Sequence, residues 1–143
     1  MLREVSAGKR FMGRLPQGAD LLEALTQACV AQGITAGEVR AIGALTKAVL
    51  GYYNQQNREY EYVTLGSHLE IVSLIGDVSL KDGRPFVHAH VSLGDERGQI
   101  WGGHLAPGSD IFACEVMIIQ YQSAEPFERA FDEGTGLLLW PMD

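Results

Sequence analysis

From Glu38 to Tyr121 the chain reads as an almost unbroken series of β-type runs joined by short turn signals. Nothing else in its 143 residues limits the fold as strongly. The runs are Glu38 to Tyr53, Tyr60 to Leu65, Leu69 to Leu80, Phe86 to Leu93, Gln99 to Leu105 and Ile111 to Tyr121. Between the later ones stand Lys81-Asp82-Gly83-Arg84-Pro85, Asp95-Glu96-Arg97-Gly98 and Ala106-Pro107-Gly108-Ser109. Parallel neighbours need a long crossover, so connections this short imply antiparallel pairing. Gly43, inside the first run, predicts a bulge or bend. Upstream, Val5 to Leu15 reads as a further strand, ended by Pro16-Gln17-Gly18. Asp20-Leu21-Leu22-Glu23 then reads as a capping box, with Asp20 as N-cap and Glu23 reaching back. Leu21, Leu25 and Cys29, with Leu22 and Ala28, form an apolar stripe at helical spacing, and Gly33 stops the helix. The expected architecture is α+β: a largely antiparallel sheet of about six to eight strands covered by one main helix, in a single domain over residues 1–143.

Composition narrows the partners. The chain is 46% apolar and 20% charged, ordinary for a soluble domain. No apolar run approaches the ~18 residues of a membrane span, so no membrane partner is expected. Met1-Leu2-Arg3-Glu4-Val5 lacks the apolar segment of a secretory signal, and a cytoplasmic location is expected. Cys29 falls in the helix and Cys114 in the last long strand, both as small buried residues, and neither makes a Cys-x-x-Cys motif. The net charge is −7, with eleven Lys and Arg scattered along the chain. Specific DNA binding through phosphate neutralisation needs a basic patch, which this balance argues against. Walker A, dinucleotide-fingerprint and Gly-x-Ser-x-Gly sequences are all missing.

Three of the four histidines crowd into one stretch, Phe86-Val87-His88-Ala89-His90 and then Gly102-Gly103-His104. His88 and His90 share a face of a strand. If Asp95, Glu96 and Arg97 form the hairpin loop, Gly94 pairs with Gly98, His88 faces His104 and His90 faces Gly102. Opposed residues have Cβ atoms only ~5 Å apart. A lone His-x-His is more often a core or surface feature. The third histidine on the same face turns the reading to a metal site with ligands His88, His90 and His104. A three-His set with an open fourth position suits zinc, favoured among divalent metals. A one-residue slip in pairing would dissolve the site.

Glu115 is the lone charge in the apolar run from Ile111 to Ile119. One reading is a structural ion pair, at a subunit interface or on a solvated face. The other is a general base beside the metal, which would make the protein a metal-dependent enzyme on a small substrate. His68 stands apart and reads as a surface or interface residue.

The runs Glu70 to Gly76, Asp82 to Leu93, Gly102-Gly103-His104-Leu105 and Ala113-Cys114-Glu115-Val116 resemble the PPC (plants and prokaryotes conserved) domain, the stand-alone prokaryotic form. Ile42 to Leu45, Val49 to Tyr53 and Thr135-Gly136-Leu137 also match, so the resemblance covers nearly the whole chain. It implies an α+β domain assembling as a homotrimer, and a metal-binding version carrying the three histidines. It also brings the DNA-binding label attached to many prokaryotic members, which derives from plant proteins with a separate AT-hook. This chain has no Arg-Gly-Arg-Pro hook, and of the plant partner-binding motif Gly-Arg-Phe-Glu-Ile-Leu only Glu70 and Ile71 are retained. The expected function is a trimeric metal-binding module for a small ligand or a protein partner, regulatory in character. A metal-dependent enzyme using Glu115 and a DNA-binding regulator stand as alternatives.

Overall fold

The computed structural model describes residues 2–66 and 68–142. The elements are β1 (Ser6–Leu15), α1 (Leu21–Ala31), β2 (Gly37–Asn54), β3 (Glu59–Leu65), β4 (Leu69–Lys81), β5 (Arg84–Gly94), β6 (Ile100–Leu105), β7 (Asp110–Gln122), β8 (Ala130–Asp132) and β9 (Leu137–Leu139). The first seven strands form one antiparallel sheet in the order β1-β7-β2-β4-β5-β6, with β3 also on β2. The one helix among the described residues and this sheet make the α+β architecture that the turn spacing implies.

β2 organises the sheet. Its first half lies between β4 and β7, and its second half pairs with β3. β6 then returns to β2 through Leu50 opposite Leu105 and Gly51 opposite His104, so the sheet curls back on itself. The bend falls at Gly43, where the register against β4 slips. Gly43 has φ 147°, and a Cβ there would collide with the Ala113 carbonyl. Only glycine suits both conditions.

Helix α1 starts at Asp20, whose Oδ1 accepts the Glu23 N–H at 2.9 Å. The reciprocal half of the capping box is not what Glu23 contributes. Its carboxylate accepts from Gln27 at 2.7 Å, one turn on. The second Asp20 oxygen instead accepts the N–H groups of Gly108 (2.5 Å) and Ser109 (3.1 Å). One carboxylate therefore caps the helix and ties it to the β6–β7 turn. Leu21, Leu25 and Cys29 point into the core as their spacing requires, against a sheet face that includes Leu45, Leu74, Leu93 and Leu105.

β7 departs from simple alternation. Reading it by period two joins Ile111 to the Glu115 face and Phe112 to the Cys114 face. The structure reverses both: Ile111 is buried with Cys114, Val116 and Ile118, and Phe112 is exposed. A register shift against β2 at this end of the strand changes the parity. The β8–β9 hairpin is absent from the sequence reading, because three-residue strands carry too little pattern to register. Among the described residues no helix is long and apolar enough to cross a membrane.

Candidate metal centre

Two hairpins place the histidines. The first, β4–β5, turns on Asp82-Gly83, with φ values of 52° and 70°. Positive φ at both central residues is the demand of the tight two-residue turn whose twist matches its strands, and Asp-Gly meets it. Pairing runs back from Lys81 opposite Arg84 to Asp77 opposite His88 and Ile75 opposite His90. The second, β5–β6, is closed by a longer loop than expected. Gly94 pairs with Ile100, not Gly98, so His90 rather than His88 stands directly opposite His104, and Ser92 rather than His90 faces Gly102. Asp95 is the cause. Its Oδ1 accepts the N–H groups of Arg97 and Gln99, each at 2.9 Å, and its Oδ2 accepts from the Trp101 indole at 3.3 Å. These bonds stabilise a five-residue loop. The register moves by two, an even number, so all three histidines keep one face.

The three side chains converge. One potential ligand atom from each of His88, His90 and His104 lies within 4.8 Å of the other two. Ring centroids are 5.1 to 5.7 Å apart. Opposite His104 on β2 stands Gly51, and the Tyr60 ring packs on the imidazole at 5.1 Å. Burial, reinforced by His88 and His90, pushes the His104 pKa down to about 4. Burial and His88 lower that of His90 as well. Neutral imidazoles are the form that binds metal. His104 Nδ1 is buried and has no hydrogen-bond partner among the described residues. Three imidazole nitrogens this close, with one ring nitrogen of His104 unpartnered among the described residues, form a donor set that fits a divalent metal.

Sequence reasoning missed the groups behind the cluster. Asp77 Oδ2 lies 3.4 Å from His88 Nδ1, and Asp77 Oδ1 accepts from Arg129 at 2.7 Å. Burial opposes ionisation of Asp77, but the His88 and Arg129 interactions outweigh it and hold the carboxyl below its usual range. Arg129 also donates to Ser79 Oγ (2.9 Å) and to the Leu138 carbonyl (3.0 Å), with the Phe86 and Trp140 rings against its guanidinium. A carboxylate on the second nitrogen of a ligating histidine fixes the ring's tautomer and orientation. The Asp82-Gly83 turn was a usable signal for Asp77, since a two-residue loop sets its pairing with His88. Nothing in the sequence pointed to Arg129.

Glu115 does not join the site within one chain. It lies on β7, separated from β5 by β2 and β4, roughly 14 Å away at about 4.8 Å per strand. It stands opposite Arg14 on β1 and Ile42 on β2, exposed. A general base acting from Glu115 on a metal in its own chain is therefore ruled out. His68 lies outside the cluster too. Cys29 and Cys114 are buried, and burial pushes both thiols up to about 11, which suits packing and not nucleophilic attack.

Beside His88 and His90 opens a cavity of about 660 Å3, walled by Ile75, Val78, Phe127 and Trp140 and reached by Glu38 and Tyr121.

Residues 2–122 match the family model of the Plants and Prokaryotes Conserved (PCC) domain. The fold superposes on a metal-containing protein from Archaeoglobus fulgidus with TM-score 0.93, at 45% identity over 99% of both chains. A plant- and prokaryote-conserved protein from Pyrococcus horikoshii gives the same TM-score at 38% identity, covering 99% of this chain and 97% of that one. The bifunctional protein GlmU of a Synechococcus strain is 36% identical over 126 residues, which are 87% of this chain. The chain spans only 19% of that curated relative's length.

Proposed function

The chain belongs to the Plants and Prokaryotes Conserved (PCC) domain family, and we propose that it is a trimeric metal-binding module of that family. His88, His90 and His104 hold one divalent ion, zinc being favoured, and the open coordination position receives a small ligand or a partner side chain. The observation that carries this reading is the convergence of three imidazoles on one sheet face, one with a buried nitrogen that has no partner among the described residues. The metal-containing relative from Archaeoglobus fulgidus supports it. A bound ion would supply a Lewis-acid centre at the edge of the cavity. Asp77 orients His88, Arg129 orients Asp77, and Gly51 leaves room for His104 beside Tyr60.

The net charge of −7, the scattered Lys and Arg and the lack of an AT-hook in these 143 residues argue against specific recognition of duplex DNA as its function.

Elemental analysis of untagged protein purified without chelator tests the reading. One zinc per chain is the expected result. His88→Ala should remove most of the metal and leave the fold intact, because the core lies on the opposite sheet face. Full metal occupancy in that variant would overturn the assignment.

A further inference from the structure

The cavity beside the histidines has an unusual division of polar groups. Every charged or phenolic group at its wall is already engaged by the protein. Asp77 is held by Arg129 and faces His88. Glu38 accepts from Arg40 and, at 3.0 Å, from the Tyr121 hydroxyl. Arg3 donates to the Pro126 carbonyl at 3.0 Å, lies 3.4 Å from Glu125, and covers the Phe127 ring. The rest of the wall is apolar, with Ile75 and Val78 on the sheet side. Phe127 and Trp140 form an aromatic pair at 5.0 Å on the other. A ligand placed here meets few unpaired polar partners along its body. Its one strong polar anchor is at the His88–His90 end, where a metal held by the three histidines would present a positive charge.

We propose that the cavity binds a monocarboxylate with an apolar body, of the arylalkanoate type, its carboxylate on the metal and its body between Ile75 and the Phe127–Trp140 pair. This rests on the metal reading above and deepens it. A volume of about 660 Å3 lies within the ordinary range for small-molecule sites. A polyol or sugar would lose hydrogen bonds to water along its length without replacing them. A dianion with a second, distal charge would place that charge among aromatic rings and already paired side chains. An apolar acid suffers neither loss.

The test uses full-length protein loaded with zinc, its metal content measured first, and calorimetric titration with 3-phenylpropionate, acetate and 3-phenylpropionamide. The loaded protein should bind 3-phenylpropionate at least tenfold more tightly than acetate. The amide and the chelator-stripped protein should show no measurable heat. Phe127→Ala leaves all three histidines, Asp77 and Arg129 untouched, so it should keep its zinc, bind acetate as before and lose the aryl advantage. Equal affinity for acetate and 3-phenylpropionate, or an undiminished aryl advantage in Phe127→Ala, would overturn the inference while leaving the metal site standing. So would a zinc-loaded protein that binds neither acid. Protein that takes up no zinc at all would instead overturn the proposed function, and this inference with it.

Discussion

His104 carries the most tension of any residue in the site. Its Nδ1 is buried without a partner among the described residues, a state that costs about 1–3 kcal/mol for a buried polar group. The same burial, with His88 and His90 nearby, pushes its pKa down to about 4. A metal ion would remove the first cost and exploit the second, since a proton competes poorly for a nitrogen so placed. Metal-free protein should show the consequence in its stability. In the unfolded chain the imidazole takes up a proton near pH 6.5, and in the folded chain only near pH 4. Between those values the unfolded state binds more protons. Stability present above pH 6.5 is therefore lost as pH falls towards 4, and His90, also lowered, acts in the same direction. Urea midpoints of chelator-treated protein should fall between pH 7 and pH 5. The fall should be shallower in His104→Gln, which has no proton to accept. An equally steep fall in that variant would place the effect elsewhere.

At the scale of elements, the site is the product of two hairpin registers, and these differ in how much the sequence reveals. The shared face of His88 and His90 follows from the period of a strand. Their meeting with His104 survived an error in loop length because the error was even. Asp95 captures two backbone N–H groups and an indole, a side-chain effect that loop counting does not contain. Asp77 was readable from Asp82-Gly83, whereas Arg129 reaches the site from 52 residues further on. Contacts made over such distances leave no periodic trace. Arg129 lies beyond residue 122, where the family match ends, and its side chain is only 6% exposed. It ties the β8–β9 hairpin, through the Leu138 carbonyl, to the carboxylate behind His88. Arg129 is therefore a positioning residue, fixing Asp77 Oδ1 so that Oδ2 faces the imidazole. Groups behind metal ligands typically govern affinity by about 10–100-fold. Arg129→Met should weaken zinc binding about tenfold in competition with a chromophoric chelator. Asp77→Asn should weaken it at least as much, and the double variant should fall short of the combined loss, because both act through His88. Nitrogen NMR of the His88 ring should show the Nδ1-protonated tautomer in the native protein and a mixture in the variants. Unchanged affinity and tautomer in Arg129→Met would reduce that residue to an anchor for the hairpin.

At the scale of the whole molecule, one face of the sheet is unaccounted for. The helix and the core occupy the inner face. On the outer face Met12 is 84% exposed, Ile42 51%, Val72 54% and Ile75 57%, with Phe112 and Met117 also exposed. Register makes these neighbours. Met12 stands opposite Met117, Met117 opposite Arg40, Arg40 opposite Ile75, and Ile75 opposite His90. The row thus crosses β1, β7, β2 and β4, apolar except at Arg40, and ends at His90. Exposed apolar residues gathered on one face of a small domain mark an interaction surface. Closed cyclic symmetry is the usual way for a chain to cover its own surface, and the trimer proposed above is one such assembly. The face carries charges as well, Arg14 opposite Glu115 among them, which could pair across the boundary of such a trimer. Because Ile75 belongs to both this face and the cavity wall, a neighbouring subunit seated there would add a wall beside the three histidines. Sedimentation equilibrium at micromolar concentration should report three chains of 15.6 kDa each. Ile42→Asp, which puts a charge among the exposed apolar residues of this face and is none of the three histidines, should shift the protein to monomer with the fold retained. Zinc affinity in that monomer should fall if the neighbour walls the site, and hold if the three histidines of one chain suffice. A stable monomer in the unaltered protein would remove the trimer, and with it any part of the site that two subunits share.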